Sequence, residues 1–243
     1  MVLRRFVTAV AIAAAMVPLA QACAAAEPIV LFYVQRPPFM GSDVDGKVAG
    51  VLIPPVTGAF AKAGIPAVWR EASTMRQLTI IRTDAMRACS TGRYKTPDRE
   101  AYAKFSVSYY QDMPWVGVAN LRLKTEYRMR AADLMADPNV SVLLKDDVRF
   151  GPYADDLIAH MKAKRIGTTS DFGRIIRLVQ VGRADFSLIS GEEESYYRKQ
   201  AGFTGKDFKI IHFTDMPAGE KRYLMCSKSV SDAEMERINA GLK

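Results

Sequence analysis

Histidine and cysteine are scarce in this sequence, with two His and three Cys among 243 residues. A zinc finger or an iron–sulfur cluster needs several such ligands close together, so the scarcity argues against both. The sequence also lacks a phosphate-binding Gly-Lys-Ser/Thr loop, a nucleophile elbow and a dinucleotide fingerprint. We therefore predict that the protein uses no cofactor and no metal.

Basic residues are numerous but not clustered. The chain has 34 Lys+Arg against 26 Asp+Glu, a formal net charge of +8, and its basic residues never form a long run. Scattered charge is typical of a solvated surface, whereas a nucleic-acid-binding segment concentrates it, so we predict no nucleic-acid partner. Apolar residues make up 49% and charged residues 25%, the ordinary composition of a globular protein of one or two domains.

The N-terminus has the three-part pattern of a secretory signal peptide, which we place at residues 1–26. Arg4 and Arg5 precede an uncharged apolar stretch, and a small-residue tail runs to Ala26. We predict cleavage after Ala26; the alternative is cleavage before Cys23, with a lipid on that cysteine. No later segment is apolar enough to span a bilayer, so we predict a periplasmic protein without stable membrane insertion.

Removal of this leader leaves two cysteines, Cys89 and Cys226. An oxidising compartment favours a disulfide between them. Two separate buried thiols are the alternative.

Hydrophobic periodicity predicts two successive α/β units. In the first half, strands and helices alternate as β-α-β-α-β, which implies a parallel sheet with crossover helices. The predicted segments are a strand at 29–33, a helix after Pro54-Pro55 that ends at Gly64, a strand at 67–70, a helix at 73–82 with Met75, Leu78 and Ile81 inward, and a strand at 84–89.

In the second half, a helix at 170–181 should bury one face and a strand should follow at 184–189. The buried face of that helix consists of Phe172, Ile175, Ile176 and Val179. Near the C-terminus, Ser231 and Glu234 form a capping box that should open a last helix.

Several short motifs occur in a fixed order along the chain. They are Pro37-Pro38-Phe39 followed by Asp45-Gly46-Lys47-Val48-Ala49-Gly50; Asp84-Ala85-Met86 with Gly92; Thr96-Pro97-Asp98-Arg99; Phe105-Ser106-Val107-Ser108-Tyr109-Tyr110; and Val181-Gly182-Arg183-Ala184-Asp185-Phe186. In this order and spacing, the chain resembles the periplasmic solute-binding proteins of the polar amino-acid-binding type, the type 2 periplasmic binding proteins of extracellular solute-binding protein family 3.

The resemblance implies an α/β fold with two lobes, each a mixed sheet flanked by helices, joined by two hinge crossings. Lobe 1 would comprise residues 27–108 plus 223–243, and lobe 2 residues 114–217, with hinges near 109–113 and 218–222. It also implies that Cys89 and Cys226 lie on neighbouring strands of lobe 1, which supports the disulfide.

The resemblance further implies a ligand site in the cleft between the lobes. Arg99 should grip a carboxylate, because a guanidinium group binds one in bidentate fashion. Ser190 stands where relatives that bind α-amino acids usually carry an Asp, and Glu192 or Glu193 could reach in instead. Phe39 would either line the ligand site or belong to the hydrophobic core of its lobe. The full predicted set is Tyr33, Arg36, Phe39, Gly92, Tyr94, Arg99, Arg149, Gly151, Tyr153, Ser190 and Glu192.

The function that the resemblance implies is periplasmic binding of a small polar or anionic metabolite, expected to carry a carboxylate, by hinge closure. The partners would be the membrane subunits of an ABC importer, and the protein would not be an enzyme. Two alternatives stay open. One is an accessory periplasmic protein that binds another protein. The other is an enzyme resembling the cyclohexadienyl or arogenate dehydratases, with Glu192, Glu193, Asp112 or Tyr94 as candidate general acids.

Overall fold

A computed structural model describes residues 27–146 and 148–243 of the chain. Its strands are β1 (Ile29–Tyr33), β2 (Gly41–Ser42), β3 (Val48–Ala49), β4 (Ala67–Glu71), β5 (Ala88–Arg93), β6 (Lys104–Phe105), β7 (Tyr110–Gln111), β8 (Trp115–Ala119), β9 (Arg128–Met129), β10 (Ser141–Lys145), β11 (Lys164–Thr168), β12 (Phe186–Ser190), β13 (Lys209–Phe213) and β14 (Lys221–Cys226). Its helices are α1 (Ile53–Ala63), α2 (Thr74–Arg82), α3 (Pro97–Glu100), α4 (Ala131–Ala136), α5 (Pro152–His160), α6 (Phe172–Gln180), α7 (Gly191–Ala201) and α8 (Asp232–Leu242).

The first sheet has the strand order β4-β1-β5-β14-β6, and β7 also pairs with β14. Strands β1, β4 and β5 are parallel and are joined through α1 and α2, so the predicted β-α-β-α-β order is confirmed. Strand β14 returns antiparallel to β5. We call this sheet, with α1, α2, α3 and α8, the first lobe.

Two details of the first lobe differ from the sequence prediction. Strand β5 begins at Ala88, not at residue 84, because Asp84 adopts a positive φ of 50° in the turn that follows α2. In α2, Met75 is 71% exposed and Gln77 is fully buried. The Gln77 amide donates hydrogen bonds to the carbonyls of Tyr33 and Ala72. These bonds place Gln77, and not Met75, on the buried face of the helix, and apolar periodicity does not reveal them.

The second sheet has the strand order β11-β10-β12-β8-β13-β9. Strands β10, β11 and β12 are parallel, and β8 lies antiparallel between β12 and β13. We call this sheet, with α4 to α7, the second lobe. The predicted inner face of α6 is confirmed, since all four of its apolar residues are buried in the core of this lobe: Phe172, Ile175, Ile176 and Val179.

Two chain segments run between the sheets side by side. Strand β7 pairs with the start of β14, and the Asp112 amide donates to the Glu220 carbonyl at 3.0 Å. Gly219 makes this approach possible, because a Cβ atom there would lie 2.0 Å from the Asp112 carbonyl oxygen. The fold is thus the predicted α/β fold with two lobes. The lobe and hinge boundaries at 108, 114, 217 and 223 stay a prediction.

The Cys89–Cys226 disulfide is present, between paired residues of β5 and β14. Both cysteines are fully buried, beside apolar residues of β1, α1 and α8. The Ser231–Glu234 capping box at the start of α8 is also confirmed.

The predicted signal peptide and its alternative at Cys23 lie outside the described residues. Within the described part of the chain, none of the helices combines the length and the apolar character that a bilayer crossing needs. In that same part, no three or more His, Cys, Asp or Glu side chains are arranged to hold a metal ion.

Candidate functional site

A cavity of about 310 Å³ lies between the lobes. That volume is at the lower end of the range for small-molecule sites. One wall is the segment from the end of β5 into α3, the opposite wall is the start of α5, and Glu220 closes the side next to β14. Its lining residues are Tyr94, Lys95, Thr96, Asp98, Arg99, Arg149, Gly151, Pro152, Asp155 and Glu220.

The wall from the first lobe presents Arg99 from α3. Pro97 at the first turn fixes the start of this short helix, and Arg99 Nη1 donates to the Tyr94 carbonyl at 2.9 Å. This bond uses one of the five guanidinium N–H groups, so the others are available to a carboxylate. Thr96 precedes the helix but does not cap it, because its hydroxyl donates to Asp98 instead.

The wall from the second lobe is the N-terminus of α5. Gly151 is its N-cap at a φ of 94°, a conformation that glycine adopts without strain. No side chain caps this helix, and its first turn offers backbone N–H groups and a partial positive charge to an anion. Arg149 stands beside it with its side chain 79% exposed, and its Nη1 atom lies 3.8 Å from Asp155 Oδ2.

Glu220 is the acid on the side wall. Burial raises the pKa of its carboxyl group, and the nearby charges of Asp112 and Asp155 raise it further. A Cβ atom on Gly151 would lie 2.9 Å from Glu220 Oε1, so the absence of a side chain at 151 leaves room for this carboxyl group.

Deeper between the lobes, Arg36 forms an ion pair with Glu193. Arg36 Nε and Nη2 donate to the two carboxylate oxygens at 2.8 and 2.9 Å. The Arg36 guanidinium also lies 5.1 Å from the centroid of the Phe39 ring and 5.5 Å from that of Phe172. Burial by itself would lower the pKa of Arg36, but the charge and hydrogen bonds of Glu193 raise it above its ordinary value.

A second buried ion pair joins Arg222 of β14 to Asp112. Arg222 Nη2 donates to Asp112 Oδ2 at 2.7 Å, Nε donates to Oδ1, and Nη1 donates to the Gly92 carbonyl at 2.9 Å. The Tyr94 hydroxyl also donates to Asp112 Oδ2, at 2.7 Å. The Arg222 guanidinium lies 4.2 Å from the Phe39 centroid. Phe39 is fully buried, so it is a core residue whose ring faces two guanidinium groups.

Arg93 lies in the same region with neutral partners. Its hydrogen-bond acceptors among the described residues are Ser90, Gln77 and Thr74. Burial lowers the pKa of Arg93, and repulsion from the arginines at 99, 222 and 36 lowers it further. Arg93 is therefore a partly buried guanidinium group without a carboxylate partner among the described residues.

Not all predicted site residues face the cavity. Tyr33 is buried in the first lobe against Trp69, and the Tyr153 hydroxyl donates to Asp215 at 2.8 Å. Ser190 caps α7 by accepting a hydrogen bond from the Glu193 amide. Of the predicted set, the cavity brings together Tyr94, Arg99, Arg149 and Gly151.

Glu192 contacts the segment that connects the lobes. Its Oε1 atom accepts hydrogen bonds from the Tyr110 hydroxyl at 3.0 Å and from the Met113 amide at 2.6 Å. Its Oε2 atom is buried and has no hydrogen-bond partner among the described residues.

Sequence reasoning did not assign several residues of this region to the site. Arg222, Phe172 and Glu220 are among them, and so are five residues of the cavity lining: Lys95, Thr96, Asp98, Pro152 and Asp155. Arg222 and Glu220 both lie in the predicted hinge at 218–222, where no motif of the chain marks a side chain. Phe172 lies on the predicted buried face of α6, and its ring also faces Arg36. Their charge within a predicted hinge is a local signal that could have identified Arg222 and Glu220.

The chain is similar in structure to solved amino-acid-binding proteins. An ancestral arginine-binding protein bound to arginine has a TM-score of 0.68 and 17% identity, over 88% of this chain and 90% of that chain. AncCDT-1, an ancestral amino-acid-binding protein and precursor of cyclohexadienyl dehydratase, has a TM-score of 0.67 and 18% identity, over 88% and 87%. The arginine-, lysine-, histidine-binding protein ArtJ from Geobacillus stearothermophilus has a TM-score of 0.66 and 14% identity, over 89% and 88%.

Neither a protein-family profile nor a curated protein sequence matches the chain. At these identities the structural similarity establishes the fold, which is the two-lobed fold of type 2 periplasmic binding proteins. The resemblance inferred from the motifs is therefore confirmed at the level of the fold.

Proposed function

We propose that the protein binds a small polar solute with a carboxylate group in the cavity between its lobes, and delivers it to an ABC importer from the periplasm. The observation that carries this proposal is the lining of the cavity: Arg99 comes from the first lobe, and Arg149 and the start of α5 come from the second. An anion held by both walls would stabilise the lobes against each other, which is how a ligand favours a closed state.

The charges of the cavity support a solute that is not purely anionic. Basic Lys95, Arg99 and Arg149 are balanced by acidic Asp98, Asp155 and Glu220 in the same lining. A carboxylate beside the guanidinium groups and a hydrogen-bond donor beside Glu220 would satisfy both sides. The structural neighbours bind amino acids, which have both kinds of group.

We expect Arg99→Ala to weaken solute binding by roughly 10- to 100-fold, because a charge-assisted hydrogen bond contributes about 1.5–3 kcal/mol. A thermal-shift screen of amino acids and carboxylates identifies the solute, since a ligand at about 100 times its Kd adds about 2.7 kcal/mol of stability. Isothermal titration then compares the wild type and the variant.

Arg165→Ala is the matched control, because Arg165 pairs with Asp146 on the exposed surface of β11. If Arg99→Ala binds the solute as tightly as Arg165→Ala does, the cavity is not the binding site. If no compound of the screen stabilises the wild type, the accessory-protein alternative gains support.

A dehydratase is a second candidate, and Glu220 is the observation that favours it. A raised pKa suits a carboxyl group to general acid catalysis, and burial raises the pKa of Glu220 above its ordinary value. We expect any turnover of prephenate or arogenate to fall as the pH rises through that pKa, and to be lost in Glu220→Gln while binding persists. Product formation measured by absorbance checks this, and no turnover by the wild type at any pH excludes the reaction.

A further inference from the structure

We propose that Arg36 is a built-in substitute for a bound solute, whose ion pair with Glu193 holds the two lobes closed when no solute is present. We call this pair the Arg36–Glu193 bridge. Arg36 follows β1 in the first lobe, and Glu193 lies in the first turn of α7 in the second lobe. The two residues are 157 positions apart in the chain. Because they belong to different lobes, the bridge joins the lobes to each other.

The geometry of the bridge is that of a strong ion pair. Two parallel hydrogen bonds, at 2.8 and 2.9 Å, join the guanidinium fork to both carboxylate oxygens. The Arg36 side chain is 22% exposed and the Glu193 side chain is fully buried. Bidentate pairs of this kind are more specific in direction than single contacts, and burial limits their screening by salt.

Both ends of the bridge are fixed by their own lobes. The Arg36 backbone exchanges two hydrogen bonds with Met40, which closes the loop that presents the side chain. The Glu193 carboxylate accepts a third hydrogen bond from the Ser190 hydroxyl, at 3.0 Å. The backbone at Arg36 and the carboxylate of Glu193 thus each have a partner within their own lobe, which reduces the conformational freedom lost when the bridge forms.

The surroundings of the Arg36 guanidinium would suit a bound cation. Phe39 of the first lobe and Phe172 of the second both face it, and Glu193 neutralises it. A cationic solute at this position would need the same partners: an aromatic face from each lobe and a buried carboxylate. Arg36 occupies the subsite itself, so a solute in the neighbouring cavity need not supply this cation.

Loss of Arg36 should open the lobes. The Glu193 carboxylate would then be buried with Ser190 as its remaining side-chain partner, and a buried charge without a counter-ion is unfavourable. Separation of the lobes admits water to the carboxylate and relieves this cost. The wild type would therefore close without a solute, whereas a variant that lacks Arg36 would need a bound solute in order to close.

Small-angle X-ray scattering of the purified, solute-free protein tests the proposal. The wild type should match the scattering calculated from the present structure, in which the bridge is formed, and Arg36→Ala and Glu193→Gln should each show a larger radius of gyration. N-ethylguanidine at millimolar concentration should refill the space left in Arg36→Ala and restore the wild-type radius, with no effect on Glu193→Gln. Because the measurement is made without solute, its outcome does not depend on the proposed function.

Arg87→Ala is the matched control, since Arg87 pairs with Glu234 inside the first lobe. The proposal is wrong if the solute-free wild type is open, if Arg36→Ala keeps the wild-type radius, or if Arg87→Ala expands as much. Circular dichroism verifies that each variant is folded. If Arg36→Ala does not fold, Glu193→Gln alone decides, because it keeps the shape of the carboxylate and removes its charge.

Discussion

Replacing Asp112 with alanine should lower the free energy of unfolding by roughly 3–5 kcal/mol, the usual cost of breaking a buried ion pair by removing one partner. The Asp112 and Arg222 side chains are 3% and 4% exposed, so the remaining guanidinium could not be solvated without local opening. The Tyr94 hydroxyl would also lose its acceptor. Urea denaturation of the wild type and the variant, followed by circular dichroism, measures the difference.

The double variant Asp112→Leu with Arg222→Met separates the cost of an unpaired charge from the net value of the pair. Apolar replacement of both partners of a buried ion pair is often neutral or stabilising. We therefore expect the double variant to recover most of the stability that Asp112→Ala loses. A double variant that is as unstable as the single one would mean that the pair itself, and not its desolvation, supports the two crossing segments.

The same pair bears on how the lobes move. Asp112 and Arg222 lie on the two segments that connect the sheets, whereas the Arg36–Glu193 bridge lies between the facing surfaces. The first pair can stay intact while the lobes separate, because both partners belong to the connecting segments. The Arg36–Glu193 bridge must break when the lobes separate, because its partners belong to different lobes. Stability and closure are therefore carried by different arginines, and the two sets of variants should affect them separately.

Hydrophobic periodicity predicted the elements that bury a continuous apolar face. Helix α6 is the clearest case, since its residues 172, 175, 176 and 179 recur at helical spacing and all are buried. The two-residue strands β6, β7 and β9 were not predicted, because two residues are too few to show a period. Their pairing depends on β14 and β13, which are distant in sequence.

The part of the candidate site that could be predicted consists of residues that belong to recognisable sequence motifs. Arg99 belongs to the Thr96-Pro97-Asp98-Arg99 motif, and it lines the cavity together with Gly151, which is also in the predicted set. The pairing of Arg36 with Glu193 and of Arg222 with Asp112 could not be predicted, because it depends on how two lobes meet. The long-range contact that could be predicted is the Cys89–Cys226 disulfide, because cysteine chemistry marks both partners. A charged side chain has many possible partners, so the sequence does not mark which of them it meets.

Replacing Cys89 and Cys226 with alanine should lower the free energy of unfolding by about 2–5 kcal/mol. The disulfide closes a loop with a sequence separation of 137 residues, which spans the whole second lobe. In the chain-entropy account, a cross-link across so long a loop restricts the unfolded chain strongly, with an upper value of about 5 kcal/mol. Alanine is the suitable replacement, because both positions are fully buried among apolar side chains and a serine hydroxyl would be unsatisfied there.

Urea midpoints of the wild type with and without dithiothreitol, and of the double alanine variant under both conditions, check this result. The reductant should lower the midpoint of the wild type and leave that of the variant unchanged, because the effect acts through this bond. A reduced wild type that is as stable as the oxidised form would contradict the entropic account. In that case the apolar contacts of β5 and β14 with α1 and α8 would hold the first lobe together without the cross-link.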